Sequence, residues 1–244
     1  MTEPGSTRVA AGLFDAGRSF VPPVSLDPGR TALVVVDMQY HDAHPDGCFN
    51  VAMERIDPGS MSYFNHRTET VTVPAIARAV SAFRARGLPV IHLVLGSEHQ
   101  DYRDLDGRFR DWILAVESAS GTSGLFWTGN PDFAIRAELA PAASELVVRK
   151  TSFGAFNGSR FEQELRTRSL SSLVFTGIST NCCVESTVRD AAERGFGCVV
   201  VDEATADYQE DAHLASLRAL AFNHARVLGS VDELLAALDS GRPL

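Results

Sequence analysis

The chain has 244 residues, 45% hydrophobic and 22% charged, with 19 Gly and 11 Pro. That composition excludes collagenous and largely disordered chains and suits a globular protein able to bury a sizeable core. Acidic residues number 31 against 22 basic, a net charge of -9. No Lys/Arg cluster is present to track a phosphate backbone, so neither nucleic acid nor an anionic membrane is an expected partner.

Residues 1–30 mix Glu, Asp, Arg, Gly and Pro without a continuous apolar stretch, which is unlike a signal peptide. The longest apolar runs, such as Ala32–Val36 and Cys198–Val201, fall far short of the roughly 20 residues of a membrane span. The four cysteines are Cys48, Cys182, Cys183 and Cys198, and two of them are adjacent. They do not form a disulfide framework, so a reducing, cytoplasmic location is expected.

Residues 1–30, punctuated by Pro22, Pro23, Pro28 and Gly29, read as an irregular arm on the surface or on a neighbouring subunit. Residues 31–244 read as one domain. Thr31–Val36 is apolar and β-branched without alternation, as a parallel strand buried on both faces should be. It ends at Asp37. Residues 38–66 show no clear periodicity and read as a long loop. Helical spacing follows from Val73 to Arg86, stopped by Gly87.

Leu88–Leu95 is a second strand, and 96–130 is polar and irregular. Glu145–Arg149 is a third strand, ending at Lys150, and Ser159–Arg168 a helix. Leu173–Gly177 is a fourth strand, followed by a helix from Asn181 to Arg194. Gly197–Val201 and Ala225–Leu228 are the fifth and sixth strands, with a helix over His213–Asn223 between them and another over Val231–Leu238 at the end. This alternation predicts a three-layer α/β/α fold with a six-stranded, mostly parallel, Rossmann-like sheet.

Chemistry in such a sheet gathers at the carboxyl ends of the strands. Asp37, Lys150 and the Cys182–Cys183 pair all lie there. A thiol in the first turn of a helix feels the positive end of the dipole, which favours thiolate. With Thr180 as N-cap, Cys183 would take the third helical position. A nearby Lys would lower its pKa and a carboxylate could take its proton. Backbone N–H groups at the helix start could hold an oxyanion. These parts suit acyl transfer to water through a thioester. Each residue also has a bland reading: Cys183 as a small apolar core residue, Asp37 as a cap, Lys150 as a solvated charge.

Three segments carry a resemblance: Thr31-Ala-Leu-Val-Val-Val-Asp-Met-Gln39, Leu146-Val-Val-Arg-Lys150 with Phe153-Gly-Ala-Phe156, and Leu173-Val-Phe-Thr-Gly-Ile-Ser-Thr-Asn-Cys-Cys-Val-Glu-Ser-Thr-Val-Arg-Asp190. They are similar to the isochorismatase-like cysteine hydrolases, over about Thr31 to Leu238. Gly177, Ile178, Thr180, Cys183, Val184, Thr187, Ala191 and Gly195 fill the pattern around that family's nucleophile. The resemblance implies a triad of Asp37 as base, Lys150 as its partner and Cys183 as nucleophile. It also implies a non-proline cis peptide at Ile178–Ser179 and an oxyanion hole from the N–H groups of Ser179 and Cys183. Cys182 falls at a variable position and is expected to be a packing residue.

Within the family, the nucleophile motif and the Pro45-Asp-Gly47 loop most resemble ureidoacrylate, biuret and N-carbamoyl amide hydrolases. The implied activity is hydrolysis of a small carbamoyl or ureido amide, with no metal and no cofactor. Gln39, Phe156 and Asn223 are the expected substrate contacts, Asn223 through an amide able to both donate and accept. Phe64, Trp112 and Trp127 join Phe156 as candidate pocket walls. Tyr40-His41-Asp42 departs from the Asn-Asp-Phe that many members carry. The stretch Gly96-Ser-Glu-His-Gln-Asp101 lacks the metal-site spacing of nicotinamidases. A nicotinamidase-like deamidase and a redox-sensing homologue are the alternatives. A homodimer or homotetramer is expected.

Overall fold

A computed structural model describes residues 20–244. Residues 1–19 of the expected arm lie outside the described residues. Six strands form one all-parallel sheet in the order β3-β2-β1-β4-β5-β6. They are β1 (Thr31–Val36), β2 (Val90–Leu95), β3 (Leu146–Lys150), β4 (Ser172–Ile178), β5 (Gly197–Ala206) and β6 (Arg226–Leu228). The central strands β1, β2 and β4 are buried along their whole length. That explains their unbroken apolar sequence, since helices cover both faces of a parallel sheet.

The helices are α1 (Tyr40–Ala43), α2 (Cys48–Ile56), α3 (Ser62–Arg67), α4 (Val73–Ala85), α5 (Gly107–Ser120), α6 (Phe161–Thr167), α7 (Glu185–Glu193), α8 (Glu210–Asn223) and α9 (Val231–Ser240). α4 and α9 pack on each other and on the sheet, as do α7 and α8, giving a three-layer α/β/α arrangement. Among the described residues, no helix is long and apolar enough to cross a membrane.

Two stretches differ from the sequence reading. The expected loop 38–66 holds three short helices. α1 has only four residues and no side-chain cap, and α2 and α3 also lack one, so sequence signals were weak. The chain turns tightly between α1 and α2: a Cβ on Gly47 would sit 1.9 Å from the Tyr40 carbonyl oxygen. The expected irregular stretch 96–130 contains α5, whose N-cap Asp106 accepts from the N–H groups of Arg108 and Phe109.

Residues 20–30 pack on the chain's own core. Val21, Val24 and Leu26 are buried. Val24 exchanges backbone hydrogen bonds with Leu244 at 3.2 and 2.9 Å, and the Arg226 guanidinium donates to the Val21 carbonyl.

Candidate active site

β1 delivers Asp37 at its carboxyl end. Asp37 has φ +52°, a left-handed conformation uncommon for a residue with a side chain. Its N–H donates to the Leu93 carbonyl at 3.0 Å, which fixes the bend that turns the carboxylate over the sheet edge. Lys150 is the last residue of β3. Cys183 lies after β4 in a π-helical turn, Thr180–Val184, that leads into α7. The peptide bond between Ile178 and Ser179 is cis.

The three side chains converge. Lys150 Nζ is 2.8 Å from Asp37 Oδ2 and donates to Cys183 Sγ at 3.2 Å. Its third contact is the Ser152 carbonyl, at 3.1 Å. An ammonium has three N–H groups, and Lys150 has two hydrogen bonds and one ion pair around it. Lys150 and Asp37 are 0% and 1% exposed and Cys183 5%, so the ion pair stands in a low-dielectric interior.

Burial pushes the Asp37 carboxyl up, and the nearby Asp42 charge adds to this; Lys150 and the Cys183 thiol pull it back only in part. Lys150 is held in its charged form, because Asp37 and Cys183 outweigh its burial. The Cys183 thiol is pushed well up, first by its hydrogen bond with Cys182, then by burial and the Asp37 charge, against the pull of Lys150. Lys150 thus favours thiolate, as the sequence reading expects, while the bond with Cys182, burial and Asp37 favour the thiol; the one cation faces both groups.

The local cap also differs from expectation. Ser179 stands at the N-cap position without a capping side chain, and Cys183 is the fourth residue of its turn. The Thr180 hydroxyl is engaged elsewhere, 2.8 Å from His213 Nδ1. His213 Nε2 lies 2.8 Å from Asp202 Oδ1, which also accepts from Arg67. This buried network braces the nucleophile turn from behind. From the front, the Cys183 carbonyl accepts from the Thr187 hydroxyl at 2.7 Å, and that hydroxyl accepts from the Ala155 N–H. The loop after β3 is thereby tied to the turn after β4.

A cavity of about 570 Å³ opens over Cys183 and Ser179. Its apolar wall is Phe109, Trp112, Phe126 and Phe153 with Leu95; Asp42, Asp106, Arg108, Asn181, Cys182 and Tyr208 complete it. Of the candidate walls, only Trp112 lines it. Phe64 is buried in the core against Tyr208, and Trp127 forms a backbone bridge with Ser97. Cys182 packs against the core, as expected, and also lines the cavity.

The three expected substrate contacts lie elsewhere. Gln39 uses its whole amide on backbone: Nε2 donates to the Phe133 carbonyl at 2.9 Å, and Oε1 accepts from the Leu95 N–H at 2.7 Å. Phe156 packs edge-on to Phe161 under the Arg194 guanidinium; Phe153 takes the cavity position. Asn223 ends α8, which runs back towards the amino ends of the strands, and lines a separate cleft with Val21 and Pro22. Asn181 is the amide at this site. Sequence reasoning passed over Asp42, Phe109, Phe126 and Tyr208, which come from segments far apart in the chain. Asp42 alone had a signal, in the departing Tyr40-His41-Asp42.

Among the described residues, no group of three or more His, Cys, Asp or Glu side chains has metal-holding geometry. Cys48 and Cys198 are free thiols away from the cavity, each pushed up to about 12, Cys48 by burial and nearby carboxylates, Cys198 by burial.

A doubly wound parallel sheet with an acid, a lysine and a cysteine gathered at its carboxyl edge fits a class of hydrolases with a three-layer α/β/α fold. The isochorismatase domain family matches residues 31–232, and the chain belongs to that family of hydrolases. It is 32% identical over 202 residues to ureidoacrylate amidohydrolase RutB from Methylobacterium radiotolerans, covering 80% of this chain and 74% of that protein. A RutB from Pseudomonas syringae pv. syringae is also 32% identical, covering 87% and 84%. Among solved structures, a cysteine hydrolase from Pseudomonas syringae pv. phaseolicola superposes with TM-score 0.74 at 25% identity, over 90% of this chain and 98% of that one.

Proposed function

We propose that the protein hydrolyses a C–N bond of a small carbamoyl or ureido amide through a thioester on Cys183. The observation that carries this reading is Lys150, which contacts both Asp37 and Cys183 in a buried site that opens on a cavity. The amidohydrolase relatives support the same bond class.

In the resting site the thiol is protonated, Asp37 is a carboxylate and Lys150 an ammonium. As Cys183 Sγ attacks the carbonyl carbon, Asp37 takes the thiol proton, and Lys150 stabilises the negative charge that remains. The N–H groups of Ser179 and Cys183 receive the oxyanion. Collapse of the tetrahedral intermediate breaks the C–N bond. The proton on Asp37 goes to the leaving nitrogen, so ammonia or an amine departs. Water, deprotonated by Asp37, then attacks the thioester, and the proton returns to the thiol.

This reading takes the protein as a cytoplasmic homo-oligomer; light scattering checks the assembly, and cell fractionation checks the location. The test of the chemistry is a panel of ureido, carbamoyl and simple amides assayed for released ammonia or amine. Mass spectrometry of the quenched enzyme should find an acyl adduct on the Cys183 peptide. Turnover without Cys183 would refute the mechanism.

A further inference from the structure

We infer that the cavity selects neutral or cationic amides carrying a planar apolar group and rejects anionic ones, with Asp42 receiving the N–H or cationic end of the substrate. The inference rests on the amidohydrolase reading above and names its substrate class.

The apolar requirement comes from the wall. Phe109 lies at ring-centroid distances of 5.0 Å from Phe153, 5.1 Å from Phe126 and 5.9 Å from Trp112. The four rings form one continuous surface. Trp112 and Phe153 are nevertheless 44% and 39% exposed, so apolar area beside the nucleophile is left for a ligand to cover.

The charge requirement comes from three observations. Asp42 lines this cavity and is 6% exposed. Its nearest charged or titratable neighbour is His41, with Nδ1 3.1 Å from Oδ1; Asn50 bonds its backbone carbonyl instead. No Lys or Arg among the described residues pairs with Asp42. The two side chains are close but not hydrogen-bonded: among the described residues neither His41 Nδ1 nor Asp42 Oδ1 has a hydrogen-bond partner, so the Asp42 carboxyl keeps capacity to accept from a substrate donor. A buried carboxylate in that position favours N–H donors and cations.

Second, the buried cation at the site is already engaged, and the other faces solvent. Lys150 is engaged by Asp37, Cys183 and Ser152. Arg108, the other cation at the cavity, has a side chain 99% exposed. Third, Asp106 is committed as the N-cap of α5, so Asp42 is the carboxylate facing inward. A substrate carboxylate would meet Asp42 across an apolar space, and like charges there are costly. A cationic group would meet Asp42 and the faces of the aromatic rings together.

The test compares phenylurea with its para-aminomethyl and para-carboxyl derivatives. The expected kcat/KM order is aminomethyl at or above phenylurea, with the carboxyl compound at least about tenfold below phenylurea. Asp42→Asn should lower the aminomethyl-to-phenylurea ratio about tenfold and narrow the deficit of the anion. Equal or better turnover of the anion, or an Asp42→Asn ratio within twofold of wild type, overturns the inference. If no phenylurea is turned over, the functional reading fails for this compound class and the charge preference is read separately.

That second measurement is the modification of Cys183, in a Cys182→Ala protein, by trimethylammonioethyl and sulfonatoethyl methanethiosulfonate. Each rate is normalised to a free small thiol. A cationic reagent faster by about tenfold supports the inference, and equal normalised rates overturn it.

Discussion

Lys150 and Cys183 meet at 3.2 Å although their strands, β3 and β4, are separated in the sheet by β2 and β1. The lysine reaches over the carboxyl end of the sheet to Asp37 at the end of β1, and the turn Thr180–Val184 after β4 brings Cys183 back to meet it. A short side chain at position 150 could not make both contacts.

Cys183→Ala should retain the fold and lose at least about 1,000-fold in kcat, because removing a nucleophile leaves only binding and oxyanion stabilisation. Turnover of any hydrolysed amide, with near-ultraviolet circular dichroism as the fold control, checks this.

Lys150→Met should both inactivate and destabilise. It leaves Asp37 buried without its cation, and breaking a buried pair costs about 3–5 kcal/mol. Urea unfolding should register the loss. Asp37 should also become harder to ionise, so any residual activity would have its acidic limb shifted further up.

The pH profile of kcat/KM should rise through the ionisation of Asp37, which burial holds above the ordinary carboxylate range of about 3.9. Cys183 should titrate as a thiol well above the usual range of about 8.5, since its bond with Cys182, burial and Asp37 all favour the protonated form. Thiolate absorbance or alkylation against pH measures it. A midpoint below neutrality would contradict the resting thiol.

Gly177→Ala should cost about 3 kcal/mol or prevent folding. Gly177 has φ +105°, and a Cβ there would lie 2.1 Å from the Val36 carbonyl oxygen and 2.6 Å from its nitrogen. Both backbone atoms belong to the adjacent strand and cannot move alone. Thermal unfolding of the variant tests this.

Glu145 should make stability fall in acid. Burial raises its carboxyl, but hydrogen bonds from Arg84, the Ala142 amide and His92 outweigh it and hold it at about 2, against an ordinary 4.5. The contribution is full above 4.5 and lost as pH falls through about 2. Arg84 is 39% exposed, so screening leaves about 1 kcal/mol. Glu145→Gln should lose that amount at neutral pH in urea titrations, with the gap to wild type closing as acid is added.

The sequence by itself determined the sheet. Strands alternate with helices, and the central ones read as unbroken apolar runs because a strand covered on both faces has no polar side to present. Thr31–Val36 matches β1 residue for residue, and the ends of β1, β3 and β4 mark the positions of Asp37, Lys150 and Cys183. Motif resemblance singled out the same three side chains and the cis bond at Ile178–Ser179. What lay beyond sequence was whatever depends on crossing distance and local enclosure. The helices of 38–66 form against tertiary neighbours, such as Arg136, which donates to the Ala43 carbonyl at 2.7 Å. The cavity wall collects rings from α5, from the loop before residue 131 and from the loop after β3. Gln39, Phe156 and Asn223 are polar or aromatic in suggestive places, yet backbone bonding, packing and the return direction of α8 turn them away. Only the tertiary structure brought Lys150 against both Asp37 and Cys183 and set Asp42 on the cavity wall, since both depend on groups gathered within a few ångströms from segments distant in the chain.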